Sequence, residues 1–213
     1  MEVIQPPPVL TDGVITLRPQ QPSDTQRIYE RSIDPLAVKY TTIPSPYTIQ
    51  DAKDFVALTN SPTWTQMCWA IEVDGQFAGG IDWRPYPGSR GMQGDVGFAM
   101  HPDARGKGYL SRALTLMLGL LDDAGVRTVR WHALMGNVGS LKVVWRAGWP
   151  VATCVPGLDV QRGVLKDCWI ATRKRGETQT MGWDEYLAAS MPRAGWAGVE
   201  RDDWAEAIDT TRK

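Results

Sequence analysis

The sequence predicts an α/β domain on a mixed, mostly antiparallel central sheet flanked by helices, and three observations lead to it. Two strand-like runs, residues 67–73 and 76–83, are separated by Asp74-Gly75, a strong hairpin signal because glycine accepts the positive φ such a turn requires. A third run, residues 95–100, passes through Arg105-Gly106-Lys107-Gly108 into a helix in which Leu110, Ala113, Leu114, Met117, Leu118 and Leu121 recur at helical spacing. Strand-like runs follow that helix at 126–134 and 168–173, so strands flank it in the chain.

The remaining elements follow in order. Residues 13–18 mix β-branched and apolar side chains and stop at Pro19, as a first strand would. Pro22-Ser23-Asp24 announces a helix over 25–33 that places Ile28, Tyr29 and Ile33 on one face, and Asp34-Pro35 breaks it. Thr48 with Asp51 forms an acidic variant of the capping box, predicting a second helix to about Thr59. Residues 140–146 read as a late helix. From about Gly176 the pattern loosens, so the chain divides into a main domain over 1–175 and a Trp-rich, partly helical extension over 176–213 that carries Trp183, Trp196 and Trp204.

Composition narrows the functions open to such a domain. With 23 basic and 24 acidic side chains among 213 residues, the chain has no global positive field to draw nucleic acid or an anionic membrane, and neither is expected as a partner. Three cysteines and two histidines without ligand-like spacing argue against a disulfide framework or a metal site. The start lacks a signal-peptide pattern and no apolar run approaches the roughly 18 residues of a membrane span, which predicts a cytoplasmic protein. Ten tryptophans fit either core packing or an aromatic pocket.

The glycine turn carries the chemistry. Where a strand passes through such a turn into a helix, unpaired backbone N–H groups and the positive end of the helix dipole converge on one point, and glycine lets an anion approach the backbone. Residues 105–110 can hold a phosphate in this way, with Arg105 and Lys107 adding charge; a solvated turn is the plainer reading.

The surroundings decide between the two. Residues 95–114 resemble the signature strand, turn and helix of the GNAT acetyltransferase superfamily, in which Arg or Gln is followed by two residues, Gly, one residue, then Gly or Ala. Arg105 and Gly108 match, while Leu110 stands where a small residue is usual. Downstream, Asn137-Val-Gly-Ser140 and the ending Arg146-Ala-Gly148-Trp149 are similar to the family's Asn-x-x-Ser helix. The resemblance spans roughly residues 14–173, and Gly-Lys-Gly-Tyr with Asn-x-x-Ser looks most like the branch of ribosomal-protein N-terminal acetyltransferases and related small-amine acetyltransferases. It implies acetyl-CoA as co-substrate, no metal, and a splayed strand pair whose backbone at Phe98, Ala99 and Met100 binds the pantetheine arm. The pyrophosphate would lie on Arg105, Gly106, Lys107, Gly108, Tyr109 and Leu110, and Asn137 near the thioester.

Acetyl transfer to an amine requires a neutral amine, stabilisation of the oxyanion and a proton for the departing thiolate. The oxyanion is expected to meet a backbone N–H near Met100. Many family members carry a tyrosine seven residues after the asparagine as general acid, but Val144 stands there, which leaves Ser140 as the thiolate's donor or as a support of the turn. Asp95, at the strand start where relatives often carry glutamate, is the candidate base, joined by Asp82; both can equally be structural. His132 reads as a packed side chain with a base role as the alternative. An α-amine, with a reference pKa about 2.5 units below that of lysine, needs less help from a base and is the favoured acceptor. Trp64, Trp69 and Trp83 are expected to shape the acceptor pocket. The competing reading is a sensor or partner module that binds acyl-CoA without turnover. The extension is expected either to form a homodimer contact or to close over the acceptor.

Overall fold

The computed structural model describes residues 3–192 and Gly198. Its strands are β1 (Leu10–Thr11), β2 (Thr16–Pro19), β3 (Met67–Val73), β4 (Gln76–Pro85), β5 (Gln93–Met100), β6 (Thr128–Leu134), β7 (Thr153–Gln161) and β8 (Val164–Lys174). Its α-helices are α1 (Thr25–Ile33), α2 (Pro35–Tyr40), α3 (Ile49–Thr59), α4 (Tyr109–Asp123), α5 (Val138–Arg146) and α6 (Trp183–Ala189). Among the described residues no helix is long and apolar enough to cross a membrane.

Local chemistry accounts for most of these boundaries. The capping box at Thr48 forms in full: its hydroxyl accepts from the Asp51 amide and the Asp51 carboxylate accepts from the Thr48 amide, so α3 starts where two orphan donors are satisfied. Asp34 does end α1, but its carboxylate then accepts the amides of Leu36 and Ala37 and starts α2, with Pro35 in the first helical position. The proline read from sequence as a break is thus also a beginning. β7 went unread because Pro156 and Gly157 interrupt it. The sheet tolerates them because β7 is an edge strand whose register shifts between Val155 and Asp159.

The eight strands form one sheet in the order β1-β2-β3-β4-β5-β6-β8-β7. All neighbours are antiparallel except β5 and β6, which pair in parallel only from Gln93↔Thr128 to Val96↔Trp131. Beyond that point β5 stays with β4 as far as Met100 and β6 stays with β8 as far as Leu134. The sheet therefore splits, as the expected splayed pair requires.

Side chains alternate across the sheet. On one face Trp69, Trp83, Val96, Trp131 and Trp169 pack with the apolar stripe of α4 (Ala113, Leu114, Met117, Leu118 and Leu121) and with Leu141 and Val144 of α5. On the other, Ala70 and Phe77 pack with Ile28 of α1 and with Ala52 and Val56 of α3. The expectation that Trp69 and Trp83 shape an acceptor pocket is corrected here: both are fully buried on the α4 side, because their neighbours Cys68, Asp82 and Arg84 take the opposite face. Trp64 is half-buried with its indole N–H on Cys68 Sγ at 3.4 Å.

The described part of the extension docks on this core. Tyr186 of α6 is fully buried and donates to the Pro150 carbonyl at 2.8 Å; the Trp169 indole donates to the Ser190 carbonyl at 2.8 Å; Trp183 lies 5.3 Å from Trp145. Trp196 and Trp204 lie outside the described residues. Gly148 is the hinge of this docking: its φ is +75°, a Cβ there would sit 2.2 Å from Thr178 Oγ1, and its carbonyl accepts from Gln179. Gly148→Ala is expected to cost about 1–2 kcal/mol for the left-handed backbone alone, and more for the displaced threonine. Denaturant titration reads the loss, and faster hydrogen exchange at the Gln179 amide would locate it.

Candidate active site

The split between β5 and β6 leaves backbone groups without strand partners. At one end of β5 the Tyr86 amide donates to the Gln93 carbonyl, and at the other the His101 amide donates to the Ala78 carbonyl, each at 2.9 Å. Those two bonds fix the alternation: odd-numbered residues of β5 turn their polar groups to β4 and even-numbered ones to β6. Past Val96, where β6 has departed, the N–H groups of Phe98 and Met100 face the gap. The backbone of Ala99 is spent on β4, so of the three residues expected to present backbone here two do so, and Ala99 contributes its surface to the wall. The Met100 carbonyl accepts from Arg105 at 3.3 Å.

The turn lies at the end of this strand. A short 3-10 turn, Pro102–Ala104, leads to Arg105, and Gly108 caps α4. Gly106 and Gly108 have φ of +76° and +81°, and nothing lies within 4 Å of where a Cβ would stand on either. With the first amides of α4 unpaired by helix geometry, this is an open cradle suited to a pyrophosphate. Lys107 is exposed beside it. Arg105 is partly committed elsewhere, because its guanidinium is ion-paired to Asp34, and that bond anchors the turn to the α1–α2 junction. Tyr109 and Leu110 pack against the core under α4. His101 is more than a turn residue: it is buried, lies 2.7 Å from Asp103 and 3.2 Å from Glu30, and so fixes the approach to the turn.

On the face opposite α4 the gap opens into a cavity of about 380 Å³. β4, β5 and β6 form its floor; the walls include segment 40–44 with Tyr47, the end of α1, Cys68 of β3, the start of α5 and Asp159 of β7. Asp82, Asn137 and Ser140 line it together with Phe98 and Ala99, so five of the site residues read from sequence come together. Asp82 touches Arg84 at 2.9 Å and its side chain is 28% exposed. Burial raises its carboxyl above the ordinary value; Arg84 and Arg31 pull it back and the nearby charge of Asp95 adds to the rise. Asn137 is the cap of α5, its Oδ1 accepting from the Ser140 amide at 3.2 Å. The Ser140 Oγ accepts from the Trp131 indole at 3.1 Å. Since an indole can only donate, one lone pair of Oγ is taken and the hydroxyl proton stays available to another acceptor.

Asp95 is placed differently. Its Oδ1 accepts both from Tyr86 and from Arg130, whose guanidinium lies 4.7 Å over the Tyr86 ring, and it does not line the cavity. Cys68 does line the cavity, but burial, with Asp82 adding to it, pushes its thiol up to about 12, so it stays protonated and unreactive at neutral pH. Among the described residues no group of three or more metal-ligating side chains is present. The sequence reading passed over Arg31, Arg84, Tyr40 and Tyr47, which line the cavity, and gave little weight to His132, which also lines it 3.8 Å from Asp159. The signal for Arg84 is a cation on β4 in alternation with Asp82, on the face that meets the cavity, whereas Arg31 lies on α1 and leaves no such mark.

Comparison with known proteins places this geometry. A family model described as an acetyltransferase (GNAT) domain matches residues 15–149, more than half of the chain. No curated protein matches the sequence. Among solved structures, a GNAT-family acetyltransferase from Bacillus anthracis superposes with a TM-score of 0.71 at 17% identity, over 80% of this chain and 100% of that one. The microcin C7 self-immunity acetyltransferase MccE, in complex with acetyl-CoA and AMP, gives 0.68 at 17% identity over 76% and 93% of the two chains. RimL, the ribosomal L7/L12 α-N-protein acetyltransferase, in complex with coenzyme A, gives 0.69 at 14% identity over 78% and 98%.

Proposed function

Because the chain belongs to the GNAT acetyltransferase family, we propose that it transfers an acetyl group from acetyl-CoA to a primary amine by direct attack in a ternary complex, the acceptor being an α-amine of a peptide or a small molecule. The observation that carries this reading is the continuity of the site: an open phosphate cradle, two strand amides facing a gap, and a cavity holding Asp82 and Ser140 on the far side of it. Structural neighbours named for complexes with acetyl-CoA and coenzyme A, and one named for α-N-acetylation of a ribosomal protein, agree with it.

Acetyl-CoA, when bound, supplies the thioester carbon that the amine attacks; Gly106, Gly108 and the first amides of α4 fit its pyrophosphate, and the gap fits its pantetheine arm. Asp82 takes the proton of the incoming amine, and its raised pKa brings it nearer to the pKa of the group it must deprotonate. The N–H groups of Phe98 and Met100 face the place where negative charge develops on the carbonyl oxygen, and being part of a strand they need no reorganisation. Ser140, with its oxygen engaged by Trp131, donates a hydrogen bond to the departing thiolate, which takes its proton from solvent. Cys68, held as a thiol, offers no covalent route.

Val144 is fully buried and occupies the position where the resemblance leads one to expect a general acid, which favours a second reading as a binder of acyl-CoA without turnover. Titration calorimetry with acetyl-CoA, followed by thiol release with a panel of α-amines, tests both. Binding and turnover support the enzyme, binding with no turnover supports the sensor, and absence of binding removes both. Ser140→Ala is expected to lower kcat by about 10–100-fold, the worth of a hydrogen bond to a charged group, while acetyl-CoA affinity stays the same.

A further inference from the structure

The cavity wall carries four formally charged side chains, Arg31, Asp82, Arg84 and Asp159, together with His132. Asp82 is in contact with Arg84, and Asp159 lies near His132. Arg31 has no carboxylate within ion-pairing distance among the described residues, although it is only 7% exposed. Its Nε has no hydrogen-bond partner among those residues, and its guanidinium lies 5.7 Å from the Phe77 ring centroid. The strand beneath leaves room for it: Gly80 has no side chain, and a Cβ there would meet Arg31 Nη1 at 3.1 Å. A buried guanidinium with an aromatic ring but no carboxylate beside it is costly, and an apolar residue of similar size would pack at the same place without that cost. Tyr40, Thr42 and Tyr47 also line the cavity.

We propose that Arg31 binds an anionic group of the acceptor, so that the amine acetylated in this cavity also carries a carboxylate or a phosphate. This rests on the acetyl-transfer reading and names its substrate class. A planar fork of donors matches either oxyanion, and docking of the anion at the end of α1 would hold the amine over Asp82 and the gap. Burial presses down on the pKa of the guanidinium, with Tyr47 and Asp82 offsetting only part of that pressure, and a bound anion would supply the remainder.

The test uses matched amines at saturating acetyl-CoA: β-alanine against 3-aminopropanamide for the carboxylate, and phosphoethanolamine against ethanolamine for the phosphate. Wild type is expected to favour the anionic member of at least one pair by roughly 10–100-fold in kcat/KM, as for a hydrogen-bonded charge, and the favoured pair identifies the anion. Arg31→Met should bring that pair to near equality, chiefly through KM, and Arg31→Lys should keep part of the preference. If Arg31→Met does not fold, the Lys variant and the wild-type ratio still decide. Calorimetric binding of the same pairs to the protein loaded with coenzyme A separates this proposal from the broader one. A preference for the anion in binding without turnover sustains Arg31 and fails the enzyme; turnover with neutral amines favoured or equal, or a preference that survives Arg31→Met, overturns the proposal alone. No preference in either assay also overturns it.

Discussion

Asp82→Asn is expected to lower kcat by roughly 10²–10⁴-fold, the range a positioned general base contributes, with little change in acetyl-CoA affinity because the carboxylate is not part of the cradle at residues 105–110. The pH profile gives the sharper signature. Burial and the charge of Asp95 raise the Asp82 pKa above the ordinary carboxylate value, so wild-type kcat/KM should fall as pH drops through that raised value, and the variant should lack this limb. Stability changes in the opposite sense. The folded protein holds a proton on Asp82 at pH values where the unfolded chain has released it, so raising pH through that window costs wild type stability, and the variant loses this dependence. A profile for Asp82→Asn that keeps the acid limb would move the base elsewhere, with His132 and Asp159 across the cavity the next pair to examine.

The legibility of this site in the sequence depended on whether a role belongs to the backbone or to a side chain. The turn at Gly106 and Gly108 could be read because positive φ and closeness to an anion both demand glycine, which leaves a mark in the chain. The pairing of Thr48 with Asp51 and the Asp74-Gly75 hairpin were legible for the same reason, being local rules with few solutions. The split between β5 and β6 followed only from resemblance, since nothing in residues 93–100 says where a strand 35 positions later will part from them. Side-chain assignments fared less evenly. Asp82 and Asp95 looked alike in sequence and stand on the same face of the sheet, yet Asp95 lies nearer the end where Tyr86 and Arg130 bind it, which leaves only Asp82 in the cavity. Arg31 was invisible because a cation on a helix ordinarily faces solvent, and only the absence of a side chain at Gly80, about 50 residues away, opens the space it fills. The described part of the extension went unread as core because α6 is short, and its burial rests on two indoles and one phenol rather than on a periodic stripe.

Trp83→Ala is expected to remove about 3–5 kcal/mol of stability, or roughly 6–20 °C of melting temperature at about 2–4 °C per kcal/mol for a chain of this size, while the KM of the acceptor stays within about twofold. The argument is one of faces. Trp83 and Asp82 are adjacent on β4, so their side chains leave the sheet in opposite directions: the indole is fully buried toward α4, and the carboxylate stands in the cavity. Truncation therefore opens a void in the larger core without touching the cleft. The indole N–H of Trp83 has no hydrogen-bond partner among the described residues, so Trp83→Phe forfeits volume and no hydrogen bond, and it should cost clearly less than the alanine. Trp169 differs, since its indole donates to the Ser190 carbonyl beside α6; that carbonyl also accepts from Cys154 Sγ at 3.3 Å, so Trp169→Phe should add only the net worth of one hydrogen bond, about 0.5–1.5 kcal/mol, to the lost volume. Thermal melts of the three variants, with acceptor kinetics on each, separate packing from recognition. A raised acceptor KM in Trp83→Ala with stability intact would place the indole in the cleft and overturn the assignment of faces on which the roles of Asp82 and Arg31 both depend.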